Sequence, residues 1–398
     1  MESTADAGRA PTPRLKVAHV IHSLGPGGAE SVLVELAGVA DTAGLDLVVI
    51  GLSPVARAVN AEALRAAGVE VVELDLPRWD PRAVLGTVSA LRAHRPDVVH
   101  THLKHADLVG TAAGTLLGLP VVSTLHIVED APVGALGGYK RAAGLAARRR
   151  LAARTLALST RQREWYEELA GSDAGLVVLP NGVADPGTAD AADRARLRTE
   201  LGATAGRPLV VSASLMRPEK GHALLLDAVA LLPAGTDPVV ALAGDGPLRA
   251  GLEARVAADP LLRDRVRFLG YRDDVPALLA AADLVLHTSL ADALPTTLMQ
   301  ALAVGVPVVA TRVGGIPDII GDEAGVLVDP VPAEIAASVA RLLADPGLRD
   351  RMGAAGRTRF LAGFEATGWA ARLRALYDTV LSEHAGRRRR PAPARLRS

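Results

Sequence analysis

Apolar residues in this chain come in short, nearly continuous runs separated by longer mixed stretches. LKVAHVI (15–21), LDLVVIGL (45–52), VEVVEL (69–74), DVVHTH (97–102), PVVSTLH (120–126) and RTLALS (154–159) read as strands. Runs without strict alternation are buried on both faces, as in parallel sheets. Ala/Leu/Arg segments of helical length lie between them, which predicts repeated βαβ units. After VVLPNGV (177–183) the polar stretch ADPGTADAADR reads as a linker. The pattern then restarts with PLVVSAS (208–214), PVVALAG (238–244), VRFLG (266–270), LVLHTS (284–289), PVVAT (307–311) and GVLVD (325–329). The expectation is an α/β chain of two Rossmann-like, doubly wound parallel-sheet domains facing a central cleft. Residues 333–384 read as mostly helical, and residues 1–13 and 385–398 as disordered. Ligands in such sheets bind beyond the strand C-terminal ends, beside helix N-termini, so the chemistry belongs in the loops after the strands.

Composition narrows the picture. Of 398 residues 49% are hydrophobic, enough for two sizeable cores. Lys+Arg and Asp+Glu are both 44, a balance that argues against a nucleic-acid binder. The absence of cysteine excludes disulfides and thiolate metal sites and fits a reducing, cytoplasmic setting. Residues 1–14 hold no apolar core of a signal peptide. The charge-free runs Leu108–Val128 and Ala293–Thr311 are each broken by Gly-Leu-Pro or Gly-Val-Pro, so each reads as helix then strand rather than a membrane span. Two basic segments, 139–155 and 386–398, would be drawn to anionic membrane; solvated charge explains them equally well.

The loops supply the candidate chemistry. In SLGPGGAE (23–30), Gly27 and Gly28 let a ligand approach backbone and helix start, although a ligand-free turn reads equally well. Glu30 stands where a dinucleotide fingerprint needs its third glycine, which disfavours a nicotinamide enzyme. His102 and His126 end two strands and are placed to meet a hydroxyl, a phosphate or a proton. Nearby Lys104 belongs to the same HTHLKH segment. Arg217 and Lys220 follow the first strand of the second half and suit a diphosphate; alone they would read as solvated charge. Gly244 marks a tight strand-to-helix turn, and Tyr271 sits in a loop suited to hold a base.

The segment HTSLADALPTTLMQALAVGVPVVAT (287–311) puts a carboxylate, Asp292, before a helix expected to start at Pro295. Thr296 and Gln300 are four apart and share a helix face. Free N–H groups around 295–297 can hold phosphate oxygens, with Asp292 and Gln300 reaching hydroxyls on either side. A plain helix cap by Asp292 reads about as well from spacing alone. No D-x-D pair stands at a strand end to hold a metal–diphosphate complex, since Asp273 and Asp274 are adjacent.

Together these motifs resemble the GT-B-fold glycosyltransferases of family 4, which use nucleotide-activated sugars. The resemblance runs from HSLGPGGAE to about residue 365. It rests on Gly27-Gly28-Ala29-Glu30, His126 after its strand, PNGV (180–183), Arg217 with Lys220-Gly221, GDGP, and Asp292-Ala293-Leu294-Pro295…Gln300 followed by ALAVGVPVVAT and Gly314-Gly315. Three departures stand out: Asp292 and Gln300 replace two glutamates, and Ser214 stands near the place of a diphosphate arginine. The resemblance implies an acceptor domain at 14–187, a donor domain at 188–365, and a helix at 366–384 crossing back to the first domain. It implies His126 and Asp292 as catalytic residues. Donor contacts would come from Gly27, Gly28, Arg217, Lys220, Gly244, Tyr271, Ala293, Leu294, Pro295, Thr296, Thr297 and Gln300, and acceptor contacts from His102 and Lys104. The expected co-substrate is a UDP- or GDP-sugar, the acceptor a glycan, glycolipid or small molecule, with retention and no metal or other cofactor. Gln300 and Ser214 motivate a second reading, a catalytically weakened nucleotide-sugar binder or scaffold.

Overall fold

The computed structural model describes residues 13–389 apart from 56, 128–133, 174 and 188–189, with side chains undescribed at 134–137, 140, 388 and 389. Of the tail expected to be disordered at 385–398, residues 385–389 instead continue the last helix and the rest lies outside the described residues, as do residues 1–12; the expected join at 187/188 touches the undescribed 188–189.

Thirteen strands form two all-parallel sheets among the described residues. β1 (Leu15–Ile21), β2 (Leu45–Gly51), β3 (Glu70–Glu73), β4 (Val98–His102), β5 (Val121–Thr124), β6 (Arg154–Ala157) and β7 (Leu176–Val178) make the first, in the order β3-β2-β1-β4-β5-β6-β7. β8 (Leu209–Ala213), β9 (Val239–Ala243), β10 (Val266–Gly270), β11 (Leu284–His287), β12 (Val308–Thr311) and β13 (Gly325–Val328) make the second, in the order β10-β9-β8-β11-β12-β13. Each expected run is a strand; 15–21 and 266–270 match to the residue, and the others are trimmed by one or two residues at an end. Both orders are those of a doubly wound sheet, with chain direction across the sheet reversing at β1/β4 and at β8/β11.

Both faces of each sheet are covered, which is why the strands read as unbroken apolar runs. On β1, Leu15 and Val17 join one core while Ala18 and Val20 join another on the opposite face. The last helix, Ala366–Arg389, lays Trp369, Ala370, Leu373, Tyr377 and Val380 on the first of these cores. That spacing of three and four is one apolar helix face. This helix therefore packs on the first sheet, although the helices before it pack on the second.

The strand ends of the two sheets face each other. The Thr160 N–H after β6 is hydrogen-bonded by the Asp318 carboxylate after β12. A Cβ on Gly315 would lie 2.8 Å from the Ser159 side chain.

Candidate active site

In the second sheet, the loops after β8 and β11 flank the β8/β11 reversal and bring together residues 72 apart in sequence. Lys220 Nζ lies 2.5 Å from Asp292 Oδ2. The same carboxylate oxygen receives Ser289 Oγ at 3.3 Å and faces His287 Nε2 at 3.4 Å, while Ser289 Oγ and His287 Nε2 are 2.9 Å apart. Burial opposes the charge on Asp292, but His287 and the Lys220 ammonium outweigh it and hold the carboxyl below its ordinary value. Asp292 is thus an ionised, nearly enclosed carboxylate.

Backbone packing fixes it there. Gly314 has φ +53°, and a Cβ on it would stand 1.7 Å from the Asp292 carbonyl oxygen. The Gly315 N–H donates to that oxygen at 3.0 Å. Gly244 (φ +133°) plays the same part for the loop after β8, where a Cβ would lie 2.0 Å from the Ser214 carbonyl oxygen. Only glycine lets these loops lock together.

The helix after Asp292 spans Thr296–Ala303, one residue later than expected, with Pro295 as its N-cap and no side-chain cap bond. Asp292 does not cap it, so the capping alternative falls. No side chain caps the first N–H groups of this helix, which leaves them available to an anion. Ala293, Leu294 and Pro295 are buried; Thr296, Thr297 and Gln300 are half-buried. Thr297 Oγ1 donates to the Ala213 carbonyl at 3.0 Å, which ties the helix start to the end of β8. Arg217 lies exposed at the rim, and Tyr271 is 63% exposed after β10. Ser214 meets His222 at 3.4 Å, and burial, then the charges of His287 and Lys220, lower His222 to about 4. Sequence reasoning missed His222, His287 and Ser289; the signal was a polar pair just after an apolar strand, and a histidine just after Lys220-Gly221.

Across the cleft, Gly28 is exposed, and a Cβ there would meet nothing within 4 Å. The Glu30 carboxyl folds back over Gly27, 2.2 Å from where a Cβ would stand. Burial raises its pKa, while its own backbone N–H and the charge of Arg217 from the second sheet work the other way. His126 is half-buried at the end of β5. His102, expected to meet the acceptor, is 3% exposed with both ring nitrogens engaged, by His19 and by His126, each at 2.9 Å. Strand alternation explains this: Val98, His100 and His102 share the sheet face that the helices cover, so His102 points inward. Lys104 opens the helix Lys104–Leu117, its stem against Gly144. Arg148 of the basic segment is likewise buried, bonded to Asp107 at 2.6 and 2.9 Å, so it presents no charge outward.

Two facing doubly wound sheets, with a buried carboxylate–ammonium pair at one reversal point and histidines at the other, define the GT-B class of nucleotide-sugar enzymes. The chain belongs to the family 4 glycosyltransferases. Residues 26–185 match the model described as Glycosyltransferase Family 4, and residues 193–359 the model for glycosyl transferases group 1. A 2-deoxystreptamine glucosyltransferase of Streptomyces kanamyceticus is 32% identical over 286 residues, 67% of this chain and 73% of that protein. A D-inositol 3-phosphate glycosyltransferase of Frankia alni is 32% identical over 330 residues, 77% of this chain and 79% of that protein. HepE of Anabaena, solved with UDP and glucose, superposes with a TM-score of 0.81 at 23% identity over 92% of this chain and 100% of its own. Among the described residues no helix is long and apolar enough to cross a membrane.

Proposed function

We propose that this glycosyltransferase moves a hexosyl-type sugar from a UDP- or GDP-sugar to a glycan, glycolipid or small-molecule acceptor, with retention and without a metal. The observation that carries the reading is the Lys220–Asp292 pair at the second sheet's reversal point, 2.5 Å apart beside an uncapped helix start. An ammonium and free N–H groups converge there for a leaving diphosphate, while the carboxylate faces the sugar it releases. Gln300, one turn into the helix, takes the nucleoside hydroxyls. Solved relatives in complex with UDP and UDP-glucose support a nucleoside diphosphate in this cleft.

The acceptor meets the first sheet where β1 and β4 diverge. There His22 Nδ1 and His105 Nδ1 lie 3.1 Å apart, and Trp79 packs at a tilt of 55° on His105 with ring centres 4.8 Å apart. Leu103 and Trp79 both hold φ +73°, strained backbone at the mouth of the crevice. His126 lines the crevice from the β5 side. The exposed Arg149 and Arg150 give this face a weak attraction to anionic membrane.

The test is a screen of several UDP- and GDP-sugars by mass spectrometry, following donor hydrolysis and transfer. Turnover of at least one donor is expected. Tight nucleotide binding with no turnover of any donor would establish the scaffold reading instead.

A further inference from the structure

The first sheet carries a polar stripe where its neighbours carry core. On the face covered by the helices Gly28–Val39 and Ala366–Arg389, β1 reads Leu15, Val17, His19 and β4 reads Val98, His100, His102. All three histidines are at most 3% exposed. Buried polar groups cost free energy unless they are bonded, so three imidazoles in a core position need a purpose.

Their bonds run in one direction. His19 Nδ1 lies 2.9 Å from His102 Nε2, and His102 Nδ1 lies 2.9 Å from His126 Nε2. His100 flanks this line, its ring centre 4.4 Å from that of His102, with its own nitrogens on Tyr377 Oη at 2.6 Å and Thr124 Oγ1 at 2.7 Å. The inner end, His19 Nε2, has no protein partner and is fully buried. It adjoins a cavity of about 10 Å³ lined also by Asn181, Trp369 and Leu373. That is about the size of one water.

We propose that His102 and His19 are positioning residues that hold His126 as a neutral imidazole in one orientation, with its Nδ1 free for the sugar-transfer site. The inference rests on the proposed function for its catalytic meaning, but the chain itself does not. Three neutral imidazoles carry three N–H protons. Two fill the two bridges, so the third sits either on His126 Nδ1 or on His19 Nε2. Whether His126 offers the site a donor or an acceptor is therefore set by a ring two residues removed, in the core. A charged chain is resisted: burial lowers His126 to about 4 and His19 to about 3, and His100 and His102 lie well below the ordinary value. The charged groups facing His126 are Asp107 from the helix Lys104–Leu117, which favours protonation, and Arg148 from Gly134–Leu151, which opposes it; these two pair with each other. From β4, His100 and His102 face it as well.

A metal fits the same histidines less well. Ring nitrogens of His19, His100 and His102 lie within 4.8 Å of one another. Tetrahedral zinc needs nitrogens roughly 3.3 Å apart. Binding would also break the bonds to Tyr377, Thr124 or His126, and no carboxylate in the cluster offsets the added charge.

The experiment is histidine-¹⁵N NMR of the full chain from pH 5 to 8, beside kcat over the same range. In the wild type His126 should not titrate, and kcat should change less than about twofold between pH 7.5 and 5.5. In His102→Leu burial still keeps His126 neutral, but no bridge fixes its tautomer or ring, so its ring ¹⁵N shifts should move to values between those of the two tautomers and kcat should fall about tenfold across the pH range. His102→Asn, whose amide occupies the place of Nδ1, should restore the wild-type ¹⁵N shifts and kcat. His19→Leu, one ring further from the cleft, gives a second arm should His102→Leu not fold. A wild-type His126 that already titrates near 6.5, folded variants that leave its ring ¹⁵N shifts unmoved, or stoichiometric Zn²⁺ uptake that raises Tm would each overturn the proposal. If no donor is turned over, the functional reading fails while the NMR arm still decides this one.

Discussion

Replacing Lys220 by methionine keeps the stem and removes the ammonium from Asp292. The side chains are 21% and 11% exposed, so the carboxylate stays almost enclosed. Its remaining partners, Ser289 Oγ at 3.3 Å and His287 Nε2 at 3.4 Å, are long for hydrogen bonds to an anion. Removing one partner of a fully buried pair costs about 3–5 kcal/mol. Partial exposure lowers that here to about 2–3 kcal/mol. A ceiling also applies: Asp292 can escape by taking a proton, which at pH 7 costs about 4 kcal/mol for a carboxyl of ordinary pKa near 3.9. The expected loss in Tm at pH 7 is about 4–12 °C for a unit of this size.

The pH dependence carries the test. In the wild type the Asp292 pKa is lowered on folding, so its stabilisation is present above the unfolded value and disappears as pH falls through the folded one. In Lys220→Met the main remaining influence is burial, which raises the pKa. That variant is penalised above its raised pKa and relieved below it. The Tm gap between the two proteins should therefore narrow as pH falls from 7.5 to 4.5. Calorimetry at four or five pH values measures it, and kcat at pH 7.5 should fall about 10²–10³-fold through the lost diphosphate contact. A Tm gap independent of pH, or full activity in a destabilised variant, would refute the reasoning.

Gln300→Ala should raise donor KM by removing one or two hydrogen bonds, about 1–3 kcal/mol or roughly 5–150-fold, with Gln300→Glu keeping or tightening binding; steady-state kinetics on the folded variants checks both. Gly314→Ala forces a Cβ to within 1.7 Å of the Asp292 carbonyl in left-handed backbone, and should cost at least about 2 kcal/mol in urea unfolding and lower kcat by displacing Asp292. Turnover should survive EDTA, because Lys220 and the helix start supply the positive field on the diphosphate; loss in chelator restored by Mg²⁺ or Mn²⁺ counts against this.

Much of this architecture was readable because both sheets are covered on both faces. Burial on two sides removes alternation and leaves runs such as LDLVVIG, whose ends need only a glycine or a polar pair to be found. The position of Asp292 in a loop after a strand was equally plain. Its pairing with Lys220 was not, since nothing local links residues 72 apart; that contact exists because β8 and β11 are neighbours in the second sheet. His102 shows the opposite error. Ending a strand does not mean facing the cleft: His100 and His102 lie two apart and so share the face of Val98. Strand parity, applied to VVHTH, was the signal that would have turned it inward. Tyr377 was beyond reach, because its bond to His100 spans 277 residues and depends on the last helix returning to the first sheet.

The two halves solve the same problem with opposite chemistry. Each has a reversal in strand order where the loops diverge, and each places at or beside it a polar group that burial penalises. The second half keeps its group charged: Asp292 is held by an ammonium, and its backbone by glycines that allow carbonyl contact. Such a site can change its electrostatics when a diphosphate competes for Lys220, since among the described residues the ion pair is the shortest bond on that carboxylate. The first half keeps its group neutral: His126 is bonded to a core histidine, and no ligand in the cleft can reach His19 to alter it. The side that binds charge is free to exchange partners, while His126 opposite keeps one proton and one orientation, so the positive field that a departing diphosphate meets comes from the Lys220 side.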